Sequence, residues 1–150
     1  MEELNLPEAS LNIKTERGKE WIFDRLRRRF VRLTPEEYVR QRFIYFLIDY
    51  LGYPGGRMAN EVSIVLGRTR KRCDTVIYDG YVVPLMIIEY KSPNVGISQT
   101  VFDQIVRYNM TLNVPWLVIT NGIEHYCCHI DRACRTHRFE KKIPEYSRLL

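Results

Sequence analysis

The sequence contains no run of about 18 apolar residues and no charged-then-apolar leader, so neither a membrane span nor a secretory signal is expected. A cytoplasmic protein is the expectation. Internal repeats and low-complexity segments are also missing. The four cysteines, Cys73, Cys127, Cys128 and Cys134, lack the spacing of a disulfide framework, and two are adjacent, which suits reduced thiols. His125, Cys127 and His129 alternate, so on a strand they would share one face, as three zinc ligands would. No second CxxC or HxxxH partner accompanies them, and an exposed or edge strand with a mixed face explains them better. A G-x-x-x-x-G-K-[ST] phosphate loop is absent too, so these residues are not expected to encode an ATP-driven translocase.

The chain has 150 residues, 45% hydrophobic and 27% charged, enough for one compact domain with its own core. Residues 1–12, with Glu2, Glu3, Pro7 and Glu8, read as a flexible leader, and 13–150 as a single domain. The net charge is +5. Arg25, Arg27, Arg28, Arg29, Arg32, Arg40 and Arg42 crowd residues 25–42, and Arg68, Arg70, Lys71 and Arg72 form a second cluster. Such clusters attract polyanions through phosphate contacts and counterion release, although charge runs also serve as plain solvated surface.

Residues 13–24 suggest a hairpin around Arg17 and Gly18, with Trp21 and Phe23 on one face. Thr34-Pro35-Glu36-Glu37 is a helix start, with Thr34 as N-cap, proline at the first helical position and Glu37 completing a capping box. The helix should run to about Leu51, before Gly52, along a stripe of Val39, Phe43, Phe46, Leu47 and Tyr50. Strands are expected at 61–66, 73–78 and 85–90, the last nearly continuously apolar, as a strand covered on both faces would be. Ser98 can cap a helix lasting to about Met110. A strand at 116–120, a tight turn at Asn121-Gly122 and a return strand at 124–130 follow, with an irregular basic tail. This order gives an α/β fold, a sandwich with a central mixed β-sheet flanked by helices.

The end of "PLMIIEYKSP" carries an acid and a base where a core strand should close. A two-residue turn at Asp79-Gly80 would put Pro84 inside the ladder, where it cannot donate a hydrogen bond. A loop over 79–84 instead sets Tyr78 opposite Leu85, Val76 opposite Ile87 and Asp74 opposite Glu89. Two carboxylates then face each other roughly 5 Å apart, an arrangement unfavourable in a purely structural sheet. Lys91 falls on the Glu89 side. A divalent cation such as Mg²⁺ would relieve the repulsion. Glu36 shares the helical stripe with Val39 and Phe43 and is expected to point toward the sheet, whereas capping explains Glu37. Gln104 and Tyr108 share a face of the second helix.

Together these residues resemble the PD-(D/E)xK nuclease superfamily, with the fold of a restriction-endonuclease-like sandwich. Gln104 to Tyr108 resembles the Q-x-x-x-Y motif of its RecB-like branch. "LTPEEYVRQRFIYFLIDYLGYP" and "FDQIVRYNMTLNVPWLVITNGIEHYCC" resemble the nuclease domain at the N-terminus of type I restriction enzyme R subunits, over residues 20–130. Cys73 stands where the superfamily name has proline, a position that supplies no ligand. The resemblance implies Mg²⁺-dependent hydrolysis of DNA, with Mn²⁺ as a substitute, and a metal held by Asp74 and Glu89 with Glu36 as a third acid. Lys91 would be the catalytic lysine, and Gln104 and Tyr108 would lie beside the scissile strand. Arg25, Arg27, Arg28, Arg29, Arg70, Lys71 and Arg72 are the expected phosphate contacts. DNA and a separate motor or specificity subunit are the expected partners, with no membrane, and an oligomer is compatible with this picture. The alternative is a catalytically silent DNA-binding or assembly module with the same fold.

Overall fold

The computed structural model describes residues 3–131 and 133–150. Strands β1 (Ile13–Glu16), β2 (Lys19–Asp24) and β3 (Arg29–Arg32) form an antiparallel sheet in that order. Helix α1 (Pro35–Leu51) follows, and then a six-stranded sheet of β4 (Met58–Leu66), β5 (Thr69–Tyr78), β6 (Pro84–Tyr90), β7 (Trp116–Thr120), β8 (His125–Asp131) and β9 (Thr136–Glu140), paired in sequence order. β6 and β7 run parallel, and the other neighbours antiparallel. A parallel pair needs a long crossover, which here carries helix α2 (Gln99–Asn109). No helix among the described residues is long and apolar enough to cross a membrane.

The sheet buries both faces. Val39, Phe43 and Leu47 of α1 pack against Ile77, Met86, Ile88 and Val118. Phe102 and Val106 of α2 pack against Val76, Ile87, Leu117 and Ile119 on the other side. This is the α/β sandwich with a central mixed sheet flanked by helices expected from the sequence, with a second, smaller sheet added.

Local chemistry explains the boundaries. The Thr34 hydroxyl accepts the Glu37 N–H at 3.1 Å, and Gly52 closes α1 in the left-handed region with φ 71°. Ser98 caps α2 through the Val101 N–H at 3.2 Å. The β5–β6 register pairs Val76 with Ile87 as expected, but a bulge at Ile77/Tyr78 sets Tyr78 against Pro84 rather than Leu85. Pro84 is tolerated because it is the first residue of its strand.

Four expectations about connections change. The arginine-rich stretch after Asp24 is a hairpin turn, because Asp24 Oδ1 accepts the N–H groups of Leu26 (2.8 Å) and Arg27 (3.0 Å) and so bends the chain into β3. The Asn121-Gly122 turn spans four residues, with Asn121 Oδ1 accepting from the Ile123 and Glu124 N–H groups at 2.9 and 2.8 Å. The basic tail contributes strand β9. The segment expected to be a loose leader has fixed contacts: Leu4 is buried, and the Asn5 N–H donates to Gly122 O at 2.9 Å.

Candidate active site

Beyond the Thr75–Ile88 and Val76–Ile87 pairs, the β5–β6 register carries Asp74 and Glu89 to neighbouring positions. Val76 and Ile87 face α2, so the two-residue period turns Asp74, Glu89 and Lys91 to that side. Asp74 Oδ2 accepts the Tyr90 N–H at 2.9 Å, which fixes the carboxylate across the strands. Its other oxygen has no hydrogen-bond donor among the described residues. Glu89 pairs with the Lys71 ammonium, the two side chains being 14% and 17% exposed. Burial pushes the Glu89 carboxyl above its ordinary value; Lys71 and Lys91 oppose this and Asp74 reinforces it.

The approach to these groups is bordered by α2. Tyr108 is half exposed, its hydroxyl reaches Arg70 O at 3.5 Å, and the Lys71 ammonium stands 5.4 Å from its ring. Gln104, one turn earlier, is exposed with no hydrogen bond among the described residues. Asp74, Glu89, Lys91, Lys71 and Tyr108 are thereby brought to one region.

Glu36 is not part of that region. It is exposed, whereas Glu37 is buried at 6%. The reason is the width of the buried arc of α1: Glu37, Arg40, Gln41 and Ile44 form a stripe at i, i+3, i+4 and i+7, and Glu36 lies outside it. Only the backbone half of the expected capping box forms, because the Glu37 carboxylate is taken by Arg40 at 2.7 and 2.9 Å, Gln41 at 3.0 Å and Arg27 at 3.3 Å.

From there a polar network runs under the site on the α1 side. Arg40 Nη1 donates to Glu61 and to the Asp74 carbonyl, both at 2.8 Å. Glu61 adopts φ 56°, and its carboxyl stays below the usual range although burial opposes this, because Arg40 and Arg72 bond it. Asn60 links Thr75 (2.7 Å) to the fully buried Asp24 (3.1 Å). Burial would raise the Asp24 carboxyl, but bonds from Arg27, Asn60 and Leu26 hold it below its ordinary value. Tyr90 is buried beside Thr75, and burial pushes its hydroxyl far up. The sequence reading missed this network; the i, i+3, i+4 spacing of Glu37, Arg40 and Gln41 is the signal that could have found part of it.

The expected phosphate contacts divide. Arg25 pairs with Asp49 at 3.2 Å, Arg27 with Asp24 and Glu37, Lys71 with Glu89, and Arg72 with Glu61 at 3.1 Å. Arg28, Arg29 and Arg70 are exposed and form no ion pair among the described residues. The His125, Cys127 and His129 trio is engaged elsewhere. Both His125 ring nitrogens are bonded, to Thr120 at 2.7 Å and Asn5 O at 2.8 Å, and burial lowers its pKa. Cys127 is buried, its thiol pushed up to about 12, and His129 packs edge-on to Trp116.

The donor set at Asp74 and Glu89 fits a hard divalent cation. Both are carboxylates and Asp74 keeps an oxygen unbonded among the described residues, whereas Glu89 is paired with Lys71, which a cation would have to displace. No group of three or more His, Cys, Asp or Glu side chains placed to hold a metal occurs among the described residues. Two carboxylates suit Mg²⁺, which keeps several waters and takes substrate phosphate oxygens.

The comparisons with known proteins agree with this architecture. No curated protein matches the chain. A solved fragment of what is described as an HsdR subunit of a type I restriction enzyme from Vibrio vulnificus YJ016 superposes with a TM-score of 0.52 at 18% identity, which shows a shared fold. The match covers 78% of this chain and 25% of that one, so the chain spans about a quarter of its neighbour's length. Residues 35–144 match the family described as the type I restriction enzyme R protein N terminus (HSDR_N), and the chain belongs to that family.

Proposed function

We propose that this chain hydrolyses DNA phosphodiester bonds with Mg²⁺, or Mn²⁺ in its place, as the nuclease part of a restriction or DNA-processing system. The observation that carries the reading is the convergence of Asp74, Glu89 and Lys91 on one side of the β5–β6 pair in a chain of this family. Asp74 and Glu89 would hold the cation, which supplies a water of lowered pKa and stabilises developing charge on phosphorus. Tyr90 N–H keeps the Asp74 carboxylate turned to the site. Lys91 would orient the attacking water or neutralise the phosphate. Gln104 and Tyr108 would border the scissile strand, and Arg70 would hold a neighbouring phosphate. Such contacts position DNA without reading bases, so no sequence preference follows from them. DNA and a separate motor or specificity subunit are the partners that fit this reading.

A second reading has its own support. Lys71 already neutralises Glu89, so the fold is self-consistent without a cation and would serve as a silent DNA-docking module. Nicking of supercoiled plasmid separates the two. The nuclease reading expects nicking with Mg²⁺ or Mn²⁺ that disappears with EDTA and in Asp74→Ala. Salt-dependent DNA binding with no nicking by the wild type would select the docking module instead.

A further inference from the structure

The outer face of the β1–β2–β3 sheet lies outside the site described above. Ile22 and Asp24 point inward and are fully buried, so the two-residue period turns Lys19, Trp21 and Phe23 outward on β2. The register places Lys14 and Arg32 on either side of Trp21, and Phe30 opposite Phe23. Three aromatic rings and three cations therefore share one sheet face with a single acid, Glu16, which is bonded to Lys14 at 3.0 Å.

The cations and rings are interleaved. The Lys14 ammonium stands 4.2 Å from the Phe30 ring centre and the Arg32 guanidinium 5.6 Å from that of Trp21, while Phe23 and Phe30 meet edge-to-face at 5.3 Å. A cleft of about 390 Å³ is lined by Lys14, Glu16, Arg17, Lys19, Trp21 and Phe30. The Trp21 indole N–H is shielded from water and has no acceptor among the described residues.

We propose that this face binds single-stranded DNA, with Trp21 and Phe30 stacking on bases and Lys14, Lys19 and Arg32 meeting phosphates. Charge complementarity selects a polyanion, and the ring faces select one whose bases are unstacked. A duplex keeps its bases stacked inside and would use only the cations, whereas a single strand uses both. The proposal does not rest on the cleavage reading, because it needs neither the metal nor Asp74.

Fluorescence anisotropy in EDTA tests it, using the full chain with labelled oligothymidylate and with a duplex of the same length. The expected result is tighter binding of the single strand than of the duplex. Stacking on one ring is worth enough that Trp21→Ala should weaken single-strand binding about tenfold. Lys19→Glu, at an exposed position, should weaken single-strand binding and flatten its salt dependence, with circular dichroism confirming that the variant is folded. Because EDTA withholds any divalent cation and the two variants lie on the β1–β2–β3 sheet, this result stays separate from the fate of the nuclease reading. Equal affinity for the single strand and the duplex would overturn the proposal, as would unchanged single-strand binding in Lys19→Glu. Should circular dichroism show Trp21→Ala unfolded, Lys19→Glu decides.

Discussion

Arg40 is buried with 8% exposure and joins three parts of the fold: the Glu37 carboxylate on its own helix, Glu61 on β4 and the Asp74 carbonyl on β5. Burying a guanidinium is costly, and burial alone would lower its pKa, but the bonds to Glu37 and Glu61 raise it far above its usual value. Removing it leaves Glu37 in a buried position with Arg27 as its one cation among the described residues. Arg40→Met should therefore lower unfolding free energy in urea by about 3–5 kcal/mol, the range for breaking a buried charged pair from one side. A change of under about 1 kcal/mol, the level of an exposed pair, would mean that water reaches this network. At this scale, the register that brings Asp74 near Glu89 was legible because a strand's period fixes which side a residue takes, whereas Glu36, expected to face the sheet, is exposed and Glu37 is buried. On a helix of 3.6 residues per turn, one position is a rotation of about 100°, enough to carry an acid from core to solvent.

The β7–β8 connection shows what a single element end contributes. Gly122 has φ 87°, and a side chain there would place Cβ 2.8 Å from Leu4 Cδ2 and 3.2 Å from Val39 Cγ2. Leu4 can give way, but the backbone conformation cannot be relieved in the same manner. Gly122→Ala is expected to cost about 1–3 kcal/mol in denaturant melts, mostly as backbone strain. A neutral substitution would show that the turn accommodates a side chain without strain at this φ. The elements legible in the sequence were those with local signals, such as the Thr34 and Ser98 caps and the apolar β6 run. The β2–β3 turn was not, because residues 25–28 contain no Gly, Pro or Asn, and the bend is made by the Asp24 side chain instead. β9 was hidden for a related reason: Phe139 stacks on Phe102 of α2 at 4.9 Å, a long-range contact that no local pattern announces.

Across the molecule, the central sheet separates two environments. On the α1 side, Arg27, Arg40, Glu37, Glu61 and Asp24 neutralise one another in a buried network. On the α2 side, Asp74 and Glu89 converge with Lys71 and Lys91, and among the described residues Lys71 pairs directly with one of the acids. The positive charge counted in the sequence is therefore not all available to a ligand; what remains exposed includes Arg28, Arg29 and Arg70. The central claim is that Asp74 and Glu89 act as one cation site. Mn²⁺ binding, followed by electron paramagnetic resonance on the wild type, Asp74→Ala and Glu89→Ala without DNA, tests it most directly. The account predicts saturable binding by the wild type that is lost in both variants. Binding that persists unchanged in either variant would contradict it and move the metal away from the β5–β6 pair.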